Sequence, residues 1–160
     1  MELKYSLYSM LVGSFIIQFI VMSCIMTNSY KNITFSVGKF YMSVIMALLM
    51  GLLEVFMFDI HMRIISLYYY LILFFILSIF IYLYRNQIYI EDKDYLQEMI
   101  EHHSMAVLTS EEILQKTQSE RVKKLAETIL TTQEKEIEYM RQLIKYELRS
   151  YLEIGNSKIN

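Results

Sequence analysis

The side chains able to do chemistry crowd into one stretch, Asp94-Tyr95-Leu96-Gln97-Glu98-Met99-Ile100-Glu101-His102-His103-Ser104-Met105-Ala106-Val107. On a helix, Met99 shares a face with both imidazoles, because it precedes His102 by three residues and His103 by four. Thioether and imidazole without thiolate suit a soft ion, Cu(I) or Ag(I). Zinc would need a fuller tetrahedral set of His, Cys or carboxylate. A di-iron carboxylate centre needs a Glu three residues before each His. Here Met99 and Ile100 occupy those positions, so that pattern is absent. The competing reading is a partly buried histidine bonded to a neighbouring carboxylate or carbonyl, which would only fix helix register.

The elements that would position these groups are two long helices. Asp92 or Asp94 can cap the first, which should run to about Lys116 with the apolar stripe Leu96, Met99, Ile100, His103, Val107, Ser110 and Leu114. His103 sits mid-stripe, His102 at its edge, and Met105 points to the far side. Thr117-Gln118-Ser119 reads as a turn, with Ser119 as N-cap of a helix reaching about Leu152. Gln133 and Glu136 interrupt the second stripe, and Met140 lies one turn beyond. Met99, His102, His103 and Met140 are therefore the candidate ligands. Gln133 and Glu136 are placed to bond the imidazoles, as groups beside metal-ligating histidines commonly do. A two-helix unit of this size is marginal alone, and a homodimer forming a four-helix bundle would complete it.

The first half has a different character. Residues 1–90 hold five Lys/Arg and three Asp/Glu, whereas residues 91–160 hold ten and fourteen, a net charge of −4. Leu7–Met26, Phe40–Phe58 and Ile64–Tyr84 read as three membrane spans. The first is too long for a typical signal-peptide core, and no cleavage pattern of small residues follows it. Gln18 is its one strongly polar interior residue. Thr27–Lys39 reads as a polar loop containing a sequon-like Asn32-Ile33-Thr34. Asp59–Arg63 reads as a tight turn between antiparallel neighbours. Met42, Met46, Met50, Glu54, Met57 and His61 fall within about a third of the second span's circumference. They are either adaptable packing with Glu54 paired to a neighbouring helix, or a thioether path for a soft metal. Tyr68, Tyr69 and Tyr70 near one end of the third span, and Tyr82 and Tyr84 near the other, suit interfacial belts.

Composition excludes several classes. An acidic soluble half does not suit nucleic acid. The single cysteine, Cys24, permits no disulfide within the chain and no Cys-type zinc site. No phosphate loop, nucleophile elbow or Cys–His pair is present, so no enzymatic activity is expected.

Tyr95-Leu96-x-x-Met99-Ile100-x-His102-His103-x-x-Ala106, then Leu125-Ala126-x-x-Ile129 and Gln133-x-x-Glu136-Ile137-x-x-Met140, resembles the domain-of-unknown-function 305 family over about residues 92–148. Phe40-Tyr41-Met42 and Leu49-Met50-Gly51 resemble the membrane segment of its short members. The resemblance implies a ferritin-like helical domain, often extracytoplasmic, with copper binding and tolerance among some members. Glu101 departs from the family's Pro before the His pair, and one hairpin stands where longer members carry two. The Lys/Arg distribution places the C-terminal half in the cytoplasm, whereas the resemblance places it outside; the second placement is adopted.

The expected organisation is all-α. Residues 1–90 form the membrane region, 91–152 an antiparallel αα-hairpin, and 153–160 a tail. The expected function is buffering, tolerance or delivery of Cu(I), with membrane lipid, a second copy and a metal-donor or acceptor protein as partners. A metal-free interaction module and a ferritin-like redox enzyme are the alternatives. Protons compete with metal for imidazole, so Cu(I) affinity should fall as pH drops through about 6.5. Chelator competition between pH 5 and 8 checks this, and unchanged binding would argue against imidazole ligation.

Overall fold

The computed structural model describes the backbone of residues 2–157 and the side chains of residues 2–146. All regular structure among these residues is helical. Three helices are long and apolar enough to cross a membrane: α1 (Leu3–Met26), α2 (Val37–Met62) and α3 (Leu67–Arg85). Two further helices follow, α4 (Asp92–Leu114) and α5 (Glu120–Ser157). The chain divides into two compact units: residues 1–23 with 37–90, and residues 24–36 with 91–160.

In the first unit α2 is central, with α1 and α3 packed against it. Leu3, Leu7, Ile45, Leu48, Val55, Leu73 and Leu77 form the buried core. Gly51 lets α1 approach closely, since a Cβ there would lie 2.7 Å from the Leu11 Cδ2 and 3.2 Å from the Leu7 Cδ1. The expected span limits shift. The first helix starts at Leu3, because Lys4 at a helix end can lead its charge outward while its stem stays apolar. Its Ile17–Val21 segment, which contains Gln18, is a π-helical turn. The second helix runs through the expected turn to Met62.

Asp59 is the reason for that extension. It is buried in the last turn of α2, and its carboxylate accepts from the Ser66 backbone N–H at 2.8 Å and hydroxyl at 2.7 Å. The reversal occurs after it, with Arg63 left-handed (φ 54°) and Ile64 N–H bonded to the Asp59 carbonyl at 3.2 Å. Gln87 (φ 52°) ends α3 in the same way, with Ile88 N–H on the Leu83 carbonyl at 3.0 Å. Within the bundle the Ser6 hydroxyl donates to the Glu54 carboxylate.

In the second unit α4 and α5 pack antiparallel around Ile100, Val107, Ile137 and Met140, with Leu96, Met99, Leu130 and Ile144 at the edges. Neither Asp92 nor Asp94 caps α4. Glu91 holds the N-cap position without a side-chain bond, and both aspartates lie in the first turn, where they favour the helix dipole. Ser119 caps α5 as expected, its Oγ accepting from Val122 N–H at 3.4 Å. The last helix continues to Ser157, past the expected end near Leu152, which places most of the expected tail in helix.

The loop after α1 belongs to this second unit. Asn32 is buried within it, so the sequon-like triplet is not an accessible acceptor. Ser104, fully buried on α4, uses its whole hydrogen-bonding capacity there. It donates to the Asn28 Oδ1 (2.6 Å) and accepts from the Asn28 backbone N–H (3.0 Å) and the Asn32 Nδ2 (3.1 Å). Arg141 of α5 donates to the Asn32 Oδ1. Thr34 donates its hydroxyl to the Gln97 carbonyl (2.7 Å) and its backbone N–H to the Glu101 carboxylate (3.1 Å).

Two outcomes follow. Ser104→Val removes the hydroxyl and leaves the buried loop groups short of partners. It should cost the second unit about 2–4 kcal/mol, read as a lowered unfolding temperature of the full chain in detergent. Gly51→Val should force α1 away from α2 and cost about 1–3 kcal/mol, checked by the same melt.

Candidate metal site

The seam between α4 and α5 is mainly apolar, with Ser110 buried and Gln133 half-buried along it, and one imidazole enters it. His103 lies on the same side of α4 as Ile100 and Val107, and its side chain is 21% exposed. Its Nδ1 sits 3.1 Å from the Glu136 Oε2 on α5. The approach is out of line with the ring N–H, so Nδ1 is buried without a hydrogen bond. A buried polar atom without a partner is uncommon and calls for an explanation. Glu136 is itself half-exposed, at 47%, so solvent reaches the carboxylate from the outer side.

Both thioethers belong to this neighbourhood. Met140 is buried in the seam cluster, and Met99 packs against it from α4. Gln133 is half-buried one turn before Ile137. His102 separates from its neighbour: successive residues point about 100° apart on a helix, and His102 is exposed on the outside of α4. The two ring centroids are 6.5 Å apart, with planes at 61°. The structure thus sets His103 beside Glu136, puts Met99 and Met140 with the apolar cluster of the same helix pair, and leaves His102 exposed.

Among the described residues, no three or more His, Cys, Asp or Glu side chains converge as a metal site. That arrangement does not fit an oxygen- or nitrogen-rich centre such as di-iron or structural zinc.

The membrane methionines are dispersed. Met42 packs against the first unit's core and Met50 is half-buried, whereas Met46, Met57 and His61 are exposed along the outer side of α2. Glu54 faces α1, bonded to Ser6. The sequence pattern gave no role to Ser104, Asn28 or Arg141, and none of this kind to Glu101, Asn32 or Thr34; together they hold the face of the hairpin opposite His102. The available signal was on α4, where Gln97, Glu101 and Ser104 recur at helical spacing and make a second, polar stripe.

The DUF305 family, a domain of unknown function, matches residues 86–144. An uncharacterised protein of Acanthamoeba polyphaga mimivirus is 33% identical over 135 residues, covering 84% of this chain and 88% of the relative. The chain belongs to the DUF305 family. The alignment with the mimivirus protein is longer than the hairpin, so it takes in sequence from both halves of the chain. No solved structure gives a significant match.

His103→Leu fills a similar space and removes the unbonded nitrogen. In metal-free protein it should change stability by less than about 1 kcal/mol or raise it, whereas Ser104→Val lowers it. Thermal unfolding of the two variants in parallel makes the comparison.

Proposed function

We propose that this DUF305 protein is a membrane-anchored carrier of a soft metal ion, Cu(I), used for buffering, tolerance or delivery. The observation that carries the reading is the buried His103 Nδ1, which faces Glu136 without an in-line hydrogen bond beside a seam that also holds Met99 and Met140. His103, Met99 and Met140 would supply imidazole and thioether donors, with His102 at the rim. Glu136 and Gln133 would orient the ring and balance charge. Bound Cu(I) supplies no chemistry of its own in this role: it is the cargo. The resemblance to short membrane-attached members supports a hairpin on the extracytoplasmic side.

A second reading is a metal-free interaction module, and the His103–Glu136 proximity favours it. In that case the pair sets helix register, and Met99 and Met140 are packing residues.

Full-length protein in detergent, titrated anaerobically with Cu(I) against a chromogenic chelator, separates the two. The His102→Ala, His103→Ala double variant should weaken binding at least about 100-fold, in line with the loss of metal ligands. Absence of competition by a well-folded wild-type chain would leave the interaction module. The full chain matters here, because a fragment beginning after α3 would lack Asn28, Asn32 and Thr34.

A further inference from the structure

The hairpin has two broad faces with opposite treatment. On one, Ser104 and Arg141 are covered by the loop after α1. The other carries Tyr95, His102 and Ile113 from α4 and Val122, Leu125 and Tyr139 from α5, all exposed. Helical periodicity puts these six on one side. Leu125 is 59% exposed and Tyr139 62%, against single-digit exposure for Ile137 and Met140 in the adjoining seam. Scattered exposed apolar side chains are ordinary, but six on one side of a two-helix unit, with the half-exposed Glu136 among them, make a face suited to an interface.

We propose that a second copy of this chain covers this face, and that it encloses His102 of each subunit beside the seam that holds His103. Charge argues for a second copy over other occupants. The rim of α4 beside the face is acidic, with Glu91, Glu98 and Glu112, broken by Lys116, which pairs with Glu112 at 3.3 Å. The rim of α5 is basic, with Arg121, Lys124 and Lys135. A two-fold axis along the hairpin sets α4 of each copy over α5 of the other. Acidic rim then meets basic rim twice, so the surface is complementary to itself. Anionic lipid would match only the basic rim. The result is a four-helix bundle in which the loops lie outside and the histidines inside.

The completion of a metal site by His102 rests on the Cu(I) reading; the dimer does not. The test uses the full chain in detergent, with mass measured by light scattering in the absence of metal. The wild type should be a dimer. Leu125→Glu with Tyr139→Glu should give a monomer of unchanged helicity, and Lys123→Glu, on the opposite side of α5, should stay dimeric. Cross-linking makes an independent reading that does not rely on disrupting the interface. In a Cys24→Ser background, a short bis-maleimide should join copies through Thr132→Cys, on the open face, and not through Thr131→Cys, on the far side. A monomeric wild type, a dimer unaffected by the face substitutions, or equal cross-linking at both positions would overturn the proposal.

With Cu(I), His102→Ala should lower affinity at least tenfold in the dimer and leave the monomeric variant unchanged. Equal loss in both would overturn the enclosure of His102. A dimer passing every metal-free test that binds no Cu(I) would uphold the interface and sink the metal reading alone.

Discussion

Two helices meet along a single seam, and one seam buries little. Among the described residues of the second unit the buried apolar side chains are Ile100, Val107, Ala126, Ile137 and Met140, a small core to set against the chain entropy of a hairpin of this length. The rest of the unit follows from that shortage. On one face the molecule adds a third layer made of loop, and because a loop brings backbone polar groups, the contact has to be polar. Ser104, Asn28, Asn32 and Arg141 meet that requirement group by group.

Glu101 acquires a reason in the same terms. It stands where the family pattern has a proline, in the middle of α4, and its carboxylate accepts the Thr34 backbone N–H. A proline there could neither make that bond nor leave the helical ladder intact. The departure from the family pattern therefore belongs to the way this hairpin takes up the loop between its first two apolar helices. The membrane region obeys a related constraint. Its two carboxylates within the helices have a partner at hand: Glu54 opposite Ser6, and Asp59 folded back onto Ser66. Charge in an apolar setting persists only when its hydrogen bonds are made.

His103 is the exception, and its context gives it meaning. Asn28, Asn32, Thr34, Ser104 and Arg141 find partners on the hairpin's covered face, whereas this imidazole nitrogen is buried in the seam beside a carboxylate it does not engage in line. Local departures of this kind are where a fold concedes stability to function. On the reading proposed above, the neighbouring thioethers suit such a nitrogen to a soft ion that tolerates sulfur and does not demand a shell of oxygens.

Much of this was legible in the sequence. Long uncharged runs require helices wherever backbone groups cannot reach water, and the 3.6-residue stripe named the seam residues of α4 and α5, including His103 and Met140. Ser119 announced its cap, and the motif around Met99, His102 and His103 announced the family. What the sequence left open was decided by partners distant along the chain. Asp59 lengthened α2 because Ser66 lay within reach. The polar loop was no free linker, because Ser104, some seventy residues away, offered one donor and two acceptors at the right spacing. The adjacent histidines took different environments because only one of two neighbouring positions on a helix can face the seam. Periodicity is a local property and can be counted in one chain segment. Which polar groups find each other depends on the meeting of segments, which only the tertiary fold brings about.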